Sequence, residues 1–125
     1  MTTEGIGGFI VETHNWGKAV ALWEGLGFTL EFETDHHSGQ LRHPAGGPWV
    51  FVAEHLDQPP ATYPVIVAPD AGGFTAPSAG RVSQPFQARH WNVMEAILAD
   101  PDGHRVSVQA PLPADAEAGP ADAGS

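Results

Sequence analysis

The sequence predicts an α+β protein made of paired β-α-β-β-β modules, about residues 8–56 and 62–110, with the second helix short or degenerate. Three observations carry this. One stretch near the start has helical spacing with a cap residue at each end; apolar or alternating runs follow it between turn signals; and the same order of runs returns after residue 62. A chain of 125 residues suits one folded domain, over residues 1–110.

Residues 9–12 form a short apolar strand. Asn15 is placed to cap a helix that starts at Trp16, and Ala19, Val20, Leu22, Trp23 and Leu26 recur on one stripe of it. Gly27 ends it in a left-handed turn. Residues 28–34, 40–43 and 49–54 are three strands, divided by Asp35-His36-His37-Ser38-Gly39 and by Pro44-Ala45-Gly46-Gly47-Pro48. The second set is residues 63–68, 81–86, 91–98 and 105–109. Between its first two strands lie Gly72, Gly73, Pro77 and Gly80, which limit any helix to one or two turns. Residues 111–125 are almost entirely Ala, Pro, Gly, Asp and Glu, the composition of a disordered tail.

Composition excludes several functions. Fifteen acidic residues against five basic ones give a net charge of −10, and removing the tail's Asp115, Glu117 and Asp122 still leaves −7 on the rest. Nucleic acid would be repelled. With no cysteine there is no disulfide, thiolate metal site or cysteine nucleophile. No basic start with an apolar run marks a secretory signal, and no stretch approaches a membrane span, so a cytoplasmic protein without a membrane partner is expected. Neither a GxSxG elbow nor a phosphate-binding or dinucleotide glycine motif is present.

The run from Asn15 through Ala19-Val-Ala-Leu-Trp-Glu-Gly-Leu-Gly to Phe28 resembles the first helix of the glyoxalase/bleomycin-resistance/extradiol-dioxygenase superfamily. Asp100-Pro-Asp-Gly-His-Arg-Val-Ser-Val-Gln109 is similar to that family's closing hairpin, and the resemblance spans residues 8–110. It implies an open, cup-shaped mixed sheet whose hollow holds the ligand. In the family's enzymes four side chains facing the hollow hold a divalent metal. The corresponding positions here are Gly8, Phe51 or Glu54, Tyr63 or Pro64, and Ser107. Glycine and proline side chains coordinate nothing, and a lone carboxylate does not retain a transition metal against water. No metal and no cofactor are therefore expected.

With Gly8 and Ser107 facing the hollow, period-two alternation sends Phe9, Val11, Val106 and Val108 to the helix side. It leaves Ile10, Glu12, Arg105 and Gln109 lining the cup, with Trp49 and Phe51 turned inward, Val50 and Val52 turned to the helix, and Glu95 and Ile97 inward on the seventh strand. Trp49, Phe51, Phe86 and Trp91 are the aromatic candidates for stacking on a planar ligand, each contact adding about 0.5–1.5 kcal/mol beyond area burial. The competing reading is that they fill an ordinary core. Arg42 and His43 are candidates for a ligand carboxylate or phenolate, with a surface ion pair as the alternative for Arg42. Glu12, Glu54 and Glu95 are the candidate general bases if buried. His36 and His37 read as a surface hairpin and His104 as a solvated turn, while His14 and His90 stand near the mouth.

The resemblance thus points to the family's metal-free resistance branch. It implies a non-catalytic protein, expected to sequester a planar aromatic antibiotic, bleomycin-, mitomycin-, anthraquinone- or enediyne-like, and to do so as a homodimer. The alternatives are a metal-dependent lyase or dioxygenase, a metal-free isomerase, or a protein-binding module.

Overall fold

The computed structural model describes residues 3–89 and 91–113. His90 and residues 114–125, which include nearly all of the expected tail, lie outside the described residues. The chain divides into two compact units, one of residues 8–63 and one of the remainder.

The first unit carries β1 (Ile6–Thr13), α1 (Trp16–Gly25), β2 (Thr29–Glu33), β3 (Ser38–Arg42) and β4 (Trp49–Glu54) in the strand order β2-β3-β4-β1. β1 pairs with β4 in parallel, and the other neighbours are antiparallel. The helix begins where Asn15, extended at φ −146°, accepts the Lys18 amide on Oδ1 at 2.9 Å. It ends in a Schellman motif: Gly27, at φ +99°, donates to Glu24, and Phe28 donates back to Trp23, 3.0 and 3.1 Å away. Trp23 and Phe28 close the motif edge to face at 5.1 Å. Below the helix Val20, Leu41, Val50 and Val52 form the core, with Val11, Trp16, Ala19, Trp23 and Leu30 packed against it.

The second unit carries β5 (Thr62–Val67), β6 (Arg81–Arg89), β7 (Val93–Ala99) and β8 (Arg105–Pro111), ordered β5-β8-β7-β6, again with one parallel pair, β5 with β8. Where the first unit has its helix, this one has a single 3-10 turn, Ala71–Gly73. Asp70 opens that turn by accepting the Gly72 amide. Ala71 and Phe74 then cover Ala68, Val108 and Ala110, together with Ile66, Met94, Leu98 and Val106. The α+β class, the mixed parallel and antiparallel strand pairing and the degenerate second helix agree with the sequence reading.

Several boundaries move. β8 takes in Pro111, so the strand outlasts the expected start of the tail. Trp91 belongs to a turn rather than a strand, because Asn92 donates to the Arg89 carbonyl at 3.0 Å and is itself left-handed at φ +66°. Irregular register between Val82 and Gln84 and between Gln84 and Gln87 shifts the alternation along β6.

Candidate functional site

In each unit the strands have one face covered by that unit's own core and one face turned the other way. In the first unit the cross-strand partners Gly8 and Trp49, Ile10 and Phe51, and Glu12 and Ala53 share the face opposite α1, since Val50 and Val52 between them enter the helix core. Trp49 occupies the space that a side chain at position 8 would need: a Cβ built on Gly8 would stand 2.1 Å from its ring. Gly8 therefore lets the indole lie flat on β1. Phe51 meets Phe32 with ring centroids 6.3 Å apart. Phe32 reaches this face through a bulge, because Leu30 is paired with Leu41 but Phe32 with Gln40. Glu12 on the same face is 8% exposed, and its Oε2 stands 4.0 Å from His55 Nε2.

Arg42 is also on this side, joined to Glu31 at 3.2 Å, while Gln40 Nε2 donates to Glu31 Oε1 at 2.9 Å. The Gln40 bond, aided by Arg42 and opposed by partial desolvation, holds the Glu31 carboxyl below its ordinary value. The surface ion pair that the sequence left as an alternative for Arg42 is present.

In the second unit a buried polar cluster stands on the face opposite the Ala68–Val108–Ala110 core. Glu95, 3% exposed, receives three side-chain donors: Arg89 Nε on Oε1 at 2.8 Å, and Ser107 Oγ and Gln109 Nε2 on Oε2 at 2.7 and 3.2 Å. Gln109 Nε2 also donates to Ser107 Oγ at 3.3 Å. The Arg89 guanidinium lies over the Trp91 ring, 5.3 Å from its centroid, so the turn aromatic is tied to the buried carboxylate through one side chain. Ile97, the cross-strand partner of Ser107, shares this face, as do Val65 and Val67 of β5. A charge out of water survives only when paired and hydrogen-bonded, and Glu95 has both.

Three expected site residues lie elsewhere. Phe86 is on the core-covered face, edge-on to Phe74 at 5.8 Å, because the β6 irregularities put Gln87 and Arg89 on the Glu95 side instead. His43 follows Leu41 to the helix side. Its ring packs on Phe28 at 5.3 Å and against Gly27, and Nδ1 accepts the Ala45 amide. Glu54 is a capping group: Oε2 accepts the Trp16 amide at 2.9 Å and Oε1 meets His37 Nδ1 at 3.2 Å. Those contacts, the Trp16 amide first, lower its pKa. His36 stands beside Asp35 and His104 beside Asp100, both on the surface. Arg89 lies beyond residue 86, where the sequence reading ends this strand, and β6 runs on to it. Its signal was the Arg-x-Trp spacing with Trp91.

Of the positions that the resemblance assigns to metal ligands, Glu54 accepts the Trp16 amide and Tyr63 is buried on the face of Val65 and Ser107. Gly8 and Phe51 have no donor, Pro64 lies on the face opposite Val65 and Ser107, and the Ser107 hydroxyl already donates to Glu95. Among the described residues, no three His, Asp or Glu side chains gather where they could hold an ion.

No protein-family model matches the chain, and no curated protein matches it. Among solved structures, the backbone is similar to a glyoxalase/bleomycin resistance protein/dioxygenase superfamily member from Vibrio splendidus 12B01, with TM-score 0.62 and 13% identity over 82% of this chain and 96% of that one. A bleomycin resistance determinant encoded on the transposon Tn5 matches at TM-score 0.36 and 16% identity, covering 82% of this chain and 93% of that one. TioX from Micromonospora sp. ML1 matches at TM-score 0.33 and 20% identity, over 82% and 95%. The first of these establishes the class: the chain has the α+β fold of that superfamily. At such identities the likeness is one of fold.

Proposed function

We propose that the chain is a non-catalytic small-molecule binding protein that sequesters a planar aromatic antibiotic and so protects the cell that makes or meets it. The observation that carries this reading is the aromatic face of the first unit, where Trp49 lies flat over Gly8 with Phe51 and Ile10 beside it. Flat apolar surface with few polar groups is the usual lining of a small-molecule site. Residues without donor atoms at Gly8 and Phe51 support binding over metal chemistry. A net charge of −10 favours neutral or cationic ligands, bleomycin-, mitomycin-, anthraquinone- or enediyne-like, over anionic ones. Two copies associate, one covering the binding face of the other.

Titration with an anthraquinone, mitomycin C and bleomycin, read by calorimetry, tests the proposal. At least one should bind, and Trp49→Ala should weaken it about tenfold, near 1.4 kcal/mol. Failure of all three to bind, or unchanged affinity in the variant, would remove this face from the site. One observation favours a second reading, a metal-free isomerase: the Glu12 carboxylate is buried on the same face. A lyase or dioxygenase requires a tightly held ion, which metal analysis of the purified protein would reveal.

A further inference from the structure

The aromatic face of the first unit carries a polar cluster of its own. Leu41 enters the helix core, so its neighbours Gln40 and Arg42 turn to the opposite face with Trp49 and Phe51. Gln40 is paired with Phe51, and the same register carried one step further sets Arg42 opposite Trp49. Directly opposed residues of antiparallel strands hold their Cβ atoms within about 5.5 Å, so Arg42 stands beside the aromatic row. The indole lies over Gly8, on the other neighbour of β4, and leaves the Arg42 side of that row clear. Glu31, Gln40, Arg42, Trp49 and Phe51 all belong to this one unit.

The ion pair with Glu31 holds Arg42 without exhausting it. Nε alone donates to the carboxylate, 3.3 Å from Oε1 and 3.2 Å from Oε2, and among the described residues no acceptor meets the terminal Nη groups. Gln40 Nε2 donates to the same Oε1 at 2.9 Å, so two side chains of β3 hold the carboxylate, and the carboxylate in turn holds the guanidinium. Arg42 therefore keeps planar donors for an acceptor at the edge of a stacked ring, while its charge is already balanced. A ligand carboxylate would bring a second anion beside Glu31, in a chain of net charge −10. A carbonyl oxygen accepts a charge-assisted bond from Nη and adds no charge.

We infer that Arg42 is a specificity-determining residue of this face, selecting neutral aromatic ligands with a carbonyl at the ring edge, as in quinones, over carbonyl-free and carboxylate-bearing ones, with Glu31 as its positioning residue. This rests on the aromatic-binding reading above and narrows its ligand class. A site that hydrogen-bonds one ligand group discriminates against the analogue lacking it, because the fixed donor is then left unpaired under the ligand.

Three probes of one planar outline test it, titrated against the full chain by calorimetry or NMR: 9-fluorenone with the carbonyl, fluorene without it, and 9-fluorenone-2-carboxylate with an added charge. 9-Fluorenone should bind about tenfold more tightly than fluorene, and Arg42→Met should bring that ratio to about one while fluorene keeps its native affinity. The carboxylate should bind the native protein more weakly than 9-fluorenone, and Glu31→Gln should close that gap, because the guanidinium charge is then unopposed. Equal affinity of 9-fluorenone and fluorene for the native protein, or a preference that survives in Arg42→Met, overturns the role of Arg42 while leaving aromatic binding in place. A carboxylate that binds the native protein more tightly than 9-fluorenone, or a gap unchanged by Glu31→Gln, overturns the selection for neutral ligands through Glu31. If none of the three binds, the aromatic-binding reading itself falls and this inference with it.

Discussion

Glu95 and Gly8 show how much a single position can decide. Glu95 is almost wholly buried and its charge is met by Arg89 at 2.8 Å, so deleting the arginine strands an ion in a dry site. Breaking such a pair from one side costs about 3–5 kcal/mol. Arg89→Met should lower unfolding free energy by about that amount in urea titrations, and a loss under 1 kcal/mol would mean the carboxylate is better solvated than its surroundings indicate. Gly8 acts through space instead of charge. Because a Cβ there would lie 2.1 Å from the Trp49 ring, Gly8→Ala should lift the indole off β1, cost about 1–3 kcal/mol, and red-shift its fluorescence. These placements were legible to unequal degrees. Alternation alone puts Trp49, Phe51, Glu95, Ile97 and Gln109 opposite the covered faces, since β4, β7 and β8 are regular where they pair. It failed for Phe86, because a period-two count does not survive the irregular register of β6. For His43 the same alternation from Leu41 points to the helix side, and adjacency to Arg42 was the wrong guide.

At the level of elements, α1 is specified at both ends by residues that do little else. Asn15 caps its start and Gly27 its finish, both readable because Asn and Gly carry those geometries in themselves. Gly27→Ala should cost about 1–2 kcal/mol, since it forces φ +99° on a residue with a side chain and brings that side chain to 2.8 Å from His43. A second anchor was not readable: Glu54, from the end of β4, accepts the Trp16 amide, a contact between positions 38 apart in sequence. Its carboxyl is held below the ordinary 4.5, mainly by that amide and then by His37. The stability from this anchor is therefore complete above pH 4.5 and lost as pH falls through the lowered folded value. Unfolding curves of the native protein and Glu54→Gln should differ at pH 7 and converge in acid below that point; a constant difference would show that Glu54 acts without its charge. In the second unit, Gly72, Gly73 and Pro77 foretold the missing helix, whereas nothing local foretold that Phe74 would replace its apolar face by packing on Phe86.

For the molecule as a whole, charge and fold point the same way. A net charge of −10 opposes nucleic acid, and among the described residues no helix is long and apolar enough to cross a membrane. The backbone is similar to that of a glyoxalase/bleomycin resistance protein/dioxygenase superfamily member, a likeness of fold. The side chains offer aromatic surface in one unit and a carboxylate bound by three donors in the other. A carboxylate with three donors already on it is built to hold its neighbours still. Association of two copies should appear as a dimer mass in sedimentation at micromolar concentration, and a monomer there would leave each binding face without its proposed cover. The most direct test is recovery of the ligand: the protein is held overnight with a tenfold excess of whichever aromatic antibiotic it binds, then denatured, and the compound is analysed by mass spectrometry. The account predicts one molecule retained per chain and every molecule chemically unchanged. Accumulation of a modified product beyond one equivalent would contradict it.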